Sequence, residues 1–161
     1  MQNEVLDYIL RFAYEFVVGF AATACFAWLM RAPCKTPFTC GIIGSIGYLV
    51  FRAFSLFLGN DIIGSFIATS VIAISGEFCA RRFRMPATVF IFPSLIPLVP
   101  GFALYRTMYA LVQSDYSGFV RNGAETLFIA GSIAIAVAFV NIIARHVLKS
   151  SAVKKCGKNG K

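Results

Sequence analysis

Charge is what this sequence has least of. Asp, Glu, Lys and Arg make up only 14% of its 161 residues, where a soluble domain carries about a quarter. Apolar residues make up 58%, seventeen of them phenylalanine, and the mean hydropathy is +0.76. That balance excludes a chain that keeps most of its surface in water. Histidine occurs once, as His146. The cysteines Cys25, Cys34, Cys40, Cys79 and Cys156 form no group with metal-ligand spacing, so we expect neither metal nor cofactor. Cys25 and Cys79 fall in or at the ends of apolar runs, where Cys acts as a small hydrophobe. Cys34 and Cys40 lie near an expected cytoplasmic loop, a reducing setting. A Walker A motif is missing, which argues against an intrinsic ATPase. HExxH and GxSxG are missing too, so the chain does not read as an enzyme.

The net charge is +8, but nucleic acid is not the expected partner. The basic residues sit between apolar runs and in the tail Lys149–Lys161, with no basic folded surface to carry such binding. The start, with Glu4 and Asp7, lacks the positive charge of a signal peptide. No linker or repeat divides the chain. We expect one helical transmembrane domain over residues 1–148, then a basic, disordered cytoplasmic tail over 149–161.

About 20 apolar residues make one span. The hydropathy predicts an all-α integral membrane bundle of about five helices: Val5–Met30, Thr39–Leu58, Ile62–Ala80, Thr88–Val112 and Ala124–Val147. The connections alternate in charge. Arg31 and Lys35 lie in the first, Asp61 in the second, and Arg81, Arg82 and Arg84 in the third. Asp115 faces Arg121 in the fourth, and the tail is basic. By the positive-inside rule the N-terminus is expected outside and the C-terminus inside. That pattern requires the fourth segment to cross fully rather than turn back.

The fourth segment cannot be one unbroken helix. It contains Pro93-Ser94-Leu95-Ile96-Pro97-Leu98-Val99-Pro100-Gly101. Each proline lacks a donor and crowds the carbonyl four residues back, so Pro97 would free the carbonyl of Pro93 and Pro100 that of Ile96. Broken helix at membrane depth is tolerated only beside protein or a water-filled cavity. A second half-helix starting at Gly101 would present its first amides and positive dipole end to an anion. In secondary transporters such ends point at a substrate carboxylate. Gly101 lets a ligand approach the backbone; Tyr105 falls on the same face and Arg106 lies beside it. The alternative is a kink that only shapes packing.

Charged residues inside spans usually face the protein interior. Asp7, Arg11 and Glu15 follow at four-residue spacing, which lets neighbours pair. Arg52 and Arg106 each lie about six residues before the outer end of a span, roughly 10 Å deep at 1.5 Å per residue, and Glu15 is at a similar depth. Two readings stand: structural ties or outward-reaching arginines, or a positive site for a carboxylate. Glu77 can pair with Arg81 four residues on. Small residues for close helix packing are Gly19, Gly41, Gly44, Ser45, Gly47, Gly64 and Ala68, with Ala130, Ala134 and Ala138 on the last helix. They serve either packing within the chain or a partner.

Gly44-Ser45-Ile46-Gly47 with Arg52, Ser65-Phe66, the basic loop with Pro86, and Phe90 followed by Pro97-Leu98-Val99-Pro100-Gly101 and Tyr105 form a recognisable set. Over residues 10–145 it resembles the small subunit of two-component transporters in the threonine/serine exporter family, a group that includes a bacterial succinate exporter. The resemblance implies a multi-pass protein of the bacterial inner membrane working with a larger multi-span membrane subunit. It implies ion-driven export of small carboxylate metabolites, either threonine and serine or C4-dicarboxylates such as succinate. The competing reading is a membrane scaffold or assembly protein without transport, which leaves the break in the fourth helix unexplained.

Overall fold

The computed structural model describes the backbone of residues 2–33 and 36–158 and the side chains of residues 10, 12–33, 36–144 and 146. The chain is all-helical: α1 (Gln2–Leu29), α2 (Thr36–Leu58), α3 (Asp61–Phe83), α4 (Thr88–Leu95), a 3₁₀ turn at Ile96–Leu98, α5 (Gly101–Val112) and α6 (Tyr116–Lys158). Stretches of α1, α2, α3 and α6 are each long and apolar enough to cross a membrane, and α4 with α5 makes a fifth, bent by 50° at the break.

Sharp turns end the helices. Arg31, Arg84 and Ser114 adopt left-handed φ of 54°, 55° and 58°. After each, the next amide reaches back five residues: Ala32 to Ala27, Met85 to Ala80 and Asp115 to Ala110, at 3.0–3.1 Å. This is the Schellman closure of a helix end, usually built on glycine. Gly59, with φ of 63°, ends α2. Asn60 then accepts the amide of Ile62 to cap α3, and Ser55 donates to Asp61 across the same turn.

Glycines on α2 decide how close its neighbours come. A Cβ at Gly44 would lie 2.6 Å from Thr23 Oγ1, and one at Gly41 2.7 Å from the Phe20 ring. Gly47 gives the same room to Ile72 of α3. On α3, Gly76 does so for Ile91 of α4, at 2.7 Å. The interior of the bundle is therefore made of small residues and a few large ones, Phe90 and Ile72 among them.

The direction of α6 settles how the broken segment runs. Ile133 packs with the cluster of Ala68 and Ile72, Val137 and Val140 with Ala73, and Ile143 and Ala144 with Glu77 and Arg81. Numbers rise together, so α3 and α6 are parallel. Since α4 starts beside the end of α3, the segment α4–α5 must pass from one end of the bundle to the other. Within the bundle it runs as one bent candidate span.

Most boundaries fall within about three residues of those expected, and two differ by more. The loop expected at Gln113–Gly123 shrinks to three residues, because Asp115 caps α6 through the Gly118 amide at 3.0 Å. Gly118 and Gly123 do not break the helix. Gly118 leaves room for the Asp115 carboxyl that caps the helix, and Gly123 faces Thr107 of α5 at ordinary contact distance. At the other end, α6 carries on as helix as far as Lys158, into the stretch 149–161 expected as a tail; Leu148–Cys156 contains no Gly or Pro to stop it. At 1.5 Å per residue its 43 residues are roughly 65 Å long, about twice the hydrocarbon thickness.

Candidate functional site

The α1–α2 seam sets the site. Gly19 lies against Ser45, whose hydroxyl sits 2.8 Å from the Gly41 carbonyl and 3.2 Å from that of Phe16. Thr23 folds onto its own helix, donating to Gly19 at 2.7 Å. Beyond this seam Glu15 and Arg52 meet, with 3.3 Å between Nη2 and Oε1. Glu15 is 24% exposed and Arg52 42%. Arg52 Nε is buried and has no acceptor, so the guanidinium keeps a donor beyond the one given to Glu15. Arg11 and Asp7, expected near Glu15, lie outside the described side chains, as do Cys34 and Lys35.

Beside the pair opens a cavity of about 320 Å³. It is lined by Tyr14, Glu15, Val18, Gly19 and Ala22 of α1, Tyr48 of α2, and Pro97 of the 3₁₀ turn. The break therefore forms one wall of a small, mostly apolar space with an acid, two tyrosines and a neighbouring guanidinium. Ligand sites have this make-up: apolar walls with a few placed polar groups. Tyr14 and Tyr48 escape a reading based on charge alone. Their signal was adjacency: Tyr14 precedes Glu15, and Tyr48 stands one helical turn before Arg52.

The broken backbone is better satisfied than its prolines suggest. Pro93 cannot donate to the Val89 carbonyl, and Cys40 Sγ of α2 approaches that oxygen at 3.6 Å instead. Ser94 Oγ in turn donates to the Cys40 carbonyl at 3.2 Å. The carbonyls of Pro93 and Ile96, expected to be free, are both retaken by shorter turns: Ile96 N–H donates to Pro93 and Val99 N–H to Ile96. Gly101 N–H is also spent, donating to Val99 at 2.7 Å across Pro100. Pro100, with φ −74° and ψ 56°, is the centre of an inverse γ-turn. The amides of Phe102 and Ala103 are thus the open donors of the first turn of α5 among the described residues. Gly101 itself is exposed, with no neighbouring atom within 4 Å of a would-be Cβ.

The bend separates residues that depth alone had grouped. α5 leans onto α6, where Thr107 and Thr126 hydroxyls lie 3.2 Å apart. Tyr105 is exposed and stacks on Tyr109, with ring centroids 6.1 Å apart. The Arg106 guanidinium lies 5.7 Å from the Phe102 ring centroid and has no ion-pair partner among the described residues. The structure thus joins Pro97, Glu15 and Arg52, and leaves Gly101, Tyr105 and Arg106 on the far side of Pro100. Glu77 and Arg81 flank an open cleft of about 220 Å³ against α6, but they are not ion-paired. Arg81, at the exposed end of α3, leaves the carboxylate behind. Ala130, Ala134 and Ala138 are exposed; α6 packs inward through Ile129, Ala136, Val140 and Ala144.

A family model described as "Threonine/Serine exporter, ThrE" matches residues 15–143. The chain is 28% identical over 131 residues to a protein of Corynebacterium glutamicum named "Threonine/serine exporter", covering 81% of this chain and 27% of that protein. It is 26% identical over 145 residues to an uncharacterized protein of Haemophilus influenzae, covering 84% of this chain and 48% of that one. The chain thus spans about half of one relative and about a quarter of the other. No solved structure matches.

Proposed function

Because this multi-pass bacterial membrane protein belongs to the threonine/serine exporter family, we propose that it is a membrane subunit of a secondary exporter for small carboxylate metabolites, and that the cavity beside Glu15 and Arg52 is its substrate site. The observation that carries the reading is an ion pair within two spans, set against a cavity walled by the broken helix. Charges at such depth are costly and are retained where they line a pathway.

The pair also bears on substrate class. Glu15 lines the cavity itself, while Arg52 stands behind it with a spare buried donor. One cation and one anion complement a zwitterion: the carboxylate of an amino acid goes to Arg52 and its ammonium group to Glu15. A C4-dicarboxylate would meet Glu15 as a like charge. The site therefore favours serine or threonine over succinate. A volume of about 320 Å³ is at the small end of ligand pockets, which suits such ligands.

A larger membrane subunit is the proposed partner. The exposed Ala130, Ala134 and Ala138 present the small-residue spacing that lets a second membrane helix come close, and the relatives are two to four times longer than the matched region. The test is efflux from vesicles that hold this chain with its partner, loaded in turn with serine, threonine and succinate. Glu15→Gln and Arg52→Gln should each cut serine and threonine efflux at least tenfold while the protein still inserts. Unchanged efflux in both variants would overturn the site; succinate efflux that survives with no amino-acid efflux would overturn the substrate class.

A further inference from the structure

One end of the bundle carries a second cleft, far from the Glu15–Arg52 pair. It lies between the α1–α2 connection and the start of α4 and encloses about 350 Å³. Arg31 and Thr88 are at its rim, and Met30, Val89 and Phe92 form its apolar walls. The ends of α1, α3 and α4 meet here, packed around Ala27, Ala80 and Phe90. Arg31, Arg81, Arg82 and Arg84 are all exposed at this end, and none has an ion-pair partner among the described residues. Arg31 and Arg84 also occupy left-handed turn positions, where glycine costs least. The turn geometry does not explain why those positions hold arginine.

We propose that this cleft binds one anionic phospholipid. Arg31 and the Thr88 hydroxyl would hold the phosphate, and Arg84 adds positive field from the neighbouring turn. Thr88 and Phe92 are four residues apart and so share one face of α4. A chain entering past Thr88 would run down that face along Phe92, which is 60% exposed, toward the middle of the membrane. The combination of guanidinium at the surface and apolar wall one turn deeper fits a two-part ligand. A free phosphate would use only the upper half. Basic pockets between membrane helices bind anionic headgroups for the same electrostatic reason.

Native mass spectrometry of the whole purified chain tests this, with phosphatidylglycerol, phosphatidylcholine or inorganic phosphate added. One phosphatidylglycerol should be retained in preference to phosphatidylcholine. Arg31→Gly, which keeps the left-handed turn and removes the charge, should weaken retention about tenfold. Arg121→Gln, on α6 near the opposite end, should leave it unchanged. Phe92→Ala should weaken phosphatidylglycerol but not alter any binding of phosphate. Equal retention of the two lipids, unchanged retention in Arg31→Gly, or displacement of the lipid by inorganic phosphate at comparable concentration would each overturn the proposal.

Discussion

The two halves of the broken span live in different surroundings. α4 is held on several sides: Phe90, Ile91, Pro93 and Ser94 are buried, and Cys40 and Ser94 tie it to α2 through backbone oxygens. α5 buries only Thr107 and Ala110 and rests on α6. Phe102, Tyr105 and Tyr109 point outward from it. Three prolines thus do not make a uniformly soft segment. They place a fixed half against the bundle and a loosely covered half beyond a 50° bend, with the cavity on the fixed side.

Stability measurements can break that contrast. The largest effect is expected at Gly76 of α3, which faces the fixed half. A Cβ there would meet the Ile91 side chain of α4 at 2.7 Å, and overpacking of this kind costs about 1–3 kcal/mol. Gly76→Ala should lower the unfolding midpoint in detergent, and Gly76→Leu should prevent assembly. Gly101→Ala, on the loose side, meets open space and should be neutral or stabilising by a few tenths of a kcal/mol, up to about 1. If the two alanines cost the same, the two halves are not differently packed. Gly101→Leu should likewise insert normally, so any loss of efflux in it would report on the mouth of α5 rather than on folding.

Smaller differences sharpen the comparison. Ser94→Ala removes the hydroxyl that bonds Cys40 and should cost about 1 kcal/mol. Thr107→Val removes the α5–α6 hydroxyl contact and should cost less, about 0.6 kcal/mol, the average for such bonds between membrane helices. Asp115 lies outside the spans and caps α6. Its carboxyl is held below the usual range by the Gly118 amide and the Ser117 hydroxyl. A depressed folded-state value adds stability above the unfolded value of about 3.9, and that stability is lost as pH falls through the folded value. Asp115→Asn keeps an acceptor for capping and should flatten the stability profile only below about pH 4, read by thermal unfolding across pH.

Much of this fold was legible because hydropathy and loop charge act over whole spans. The four long apolar helices, the bent fifth candidate span and its break follow from runs of residues. The stretch 113–123, expected as a connection, is mostly helix, because a glycine inside a helix and one at a turn look alike in the sequence, and the Asp115 cap that starts α6 decides between them. The fate of the Val89, Pro93 and Ile96 carbonyls was also hidden. Two are recovered by local 3₁₀ geometry and one is approached by Cys40, a residue 49 positions away. Arg52 and Glu15 were found by depth, and they meet. Arg106 shares that reading, but depth along a helix carries no information on which way a bent helix leans. Tyr14 and Tyr48 stayed out of view because a polar tip on an aromatic ring gives no hydropathy signal.

The most direct test compares the two sides of the bend by substrate-protected thiol labelling. Ala22→Cys lines the cavity of the fixed half, and Met108→Cys lies on the exposed face of α5. Each is reacted with a small maleimide in vesicles holding the exporter, above the background of the native cysteines. Serine or threonine should slow labelling at position 22 and leave position 108 unchanged. Protection at 108 with none at 22 would contradict the account and place the substrate at the half-helix end instead.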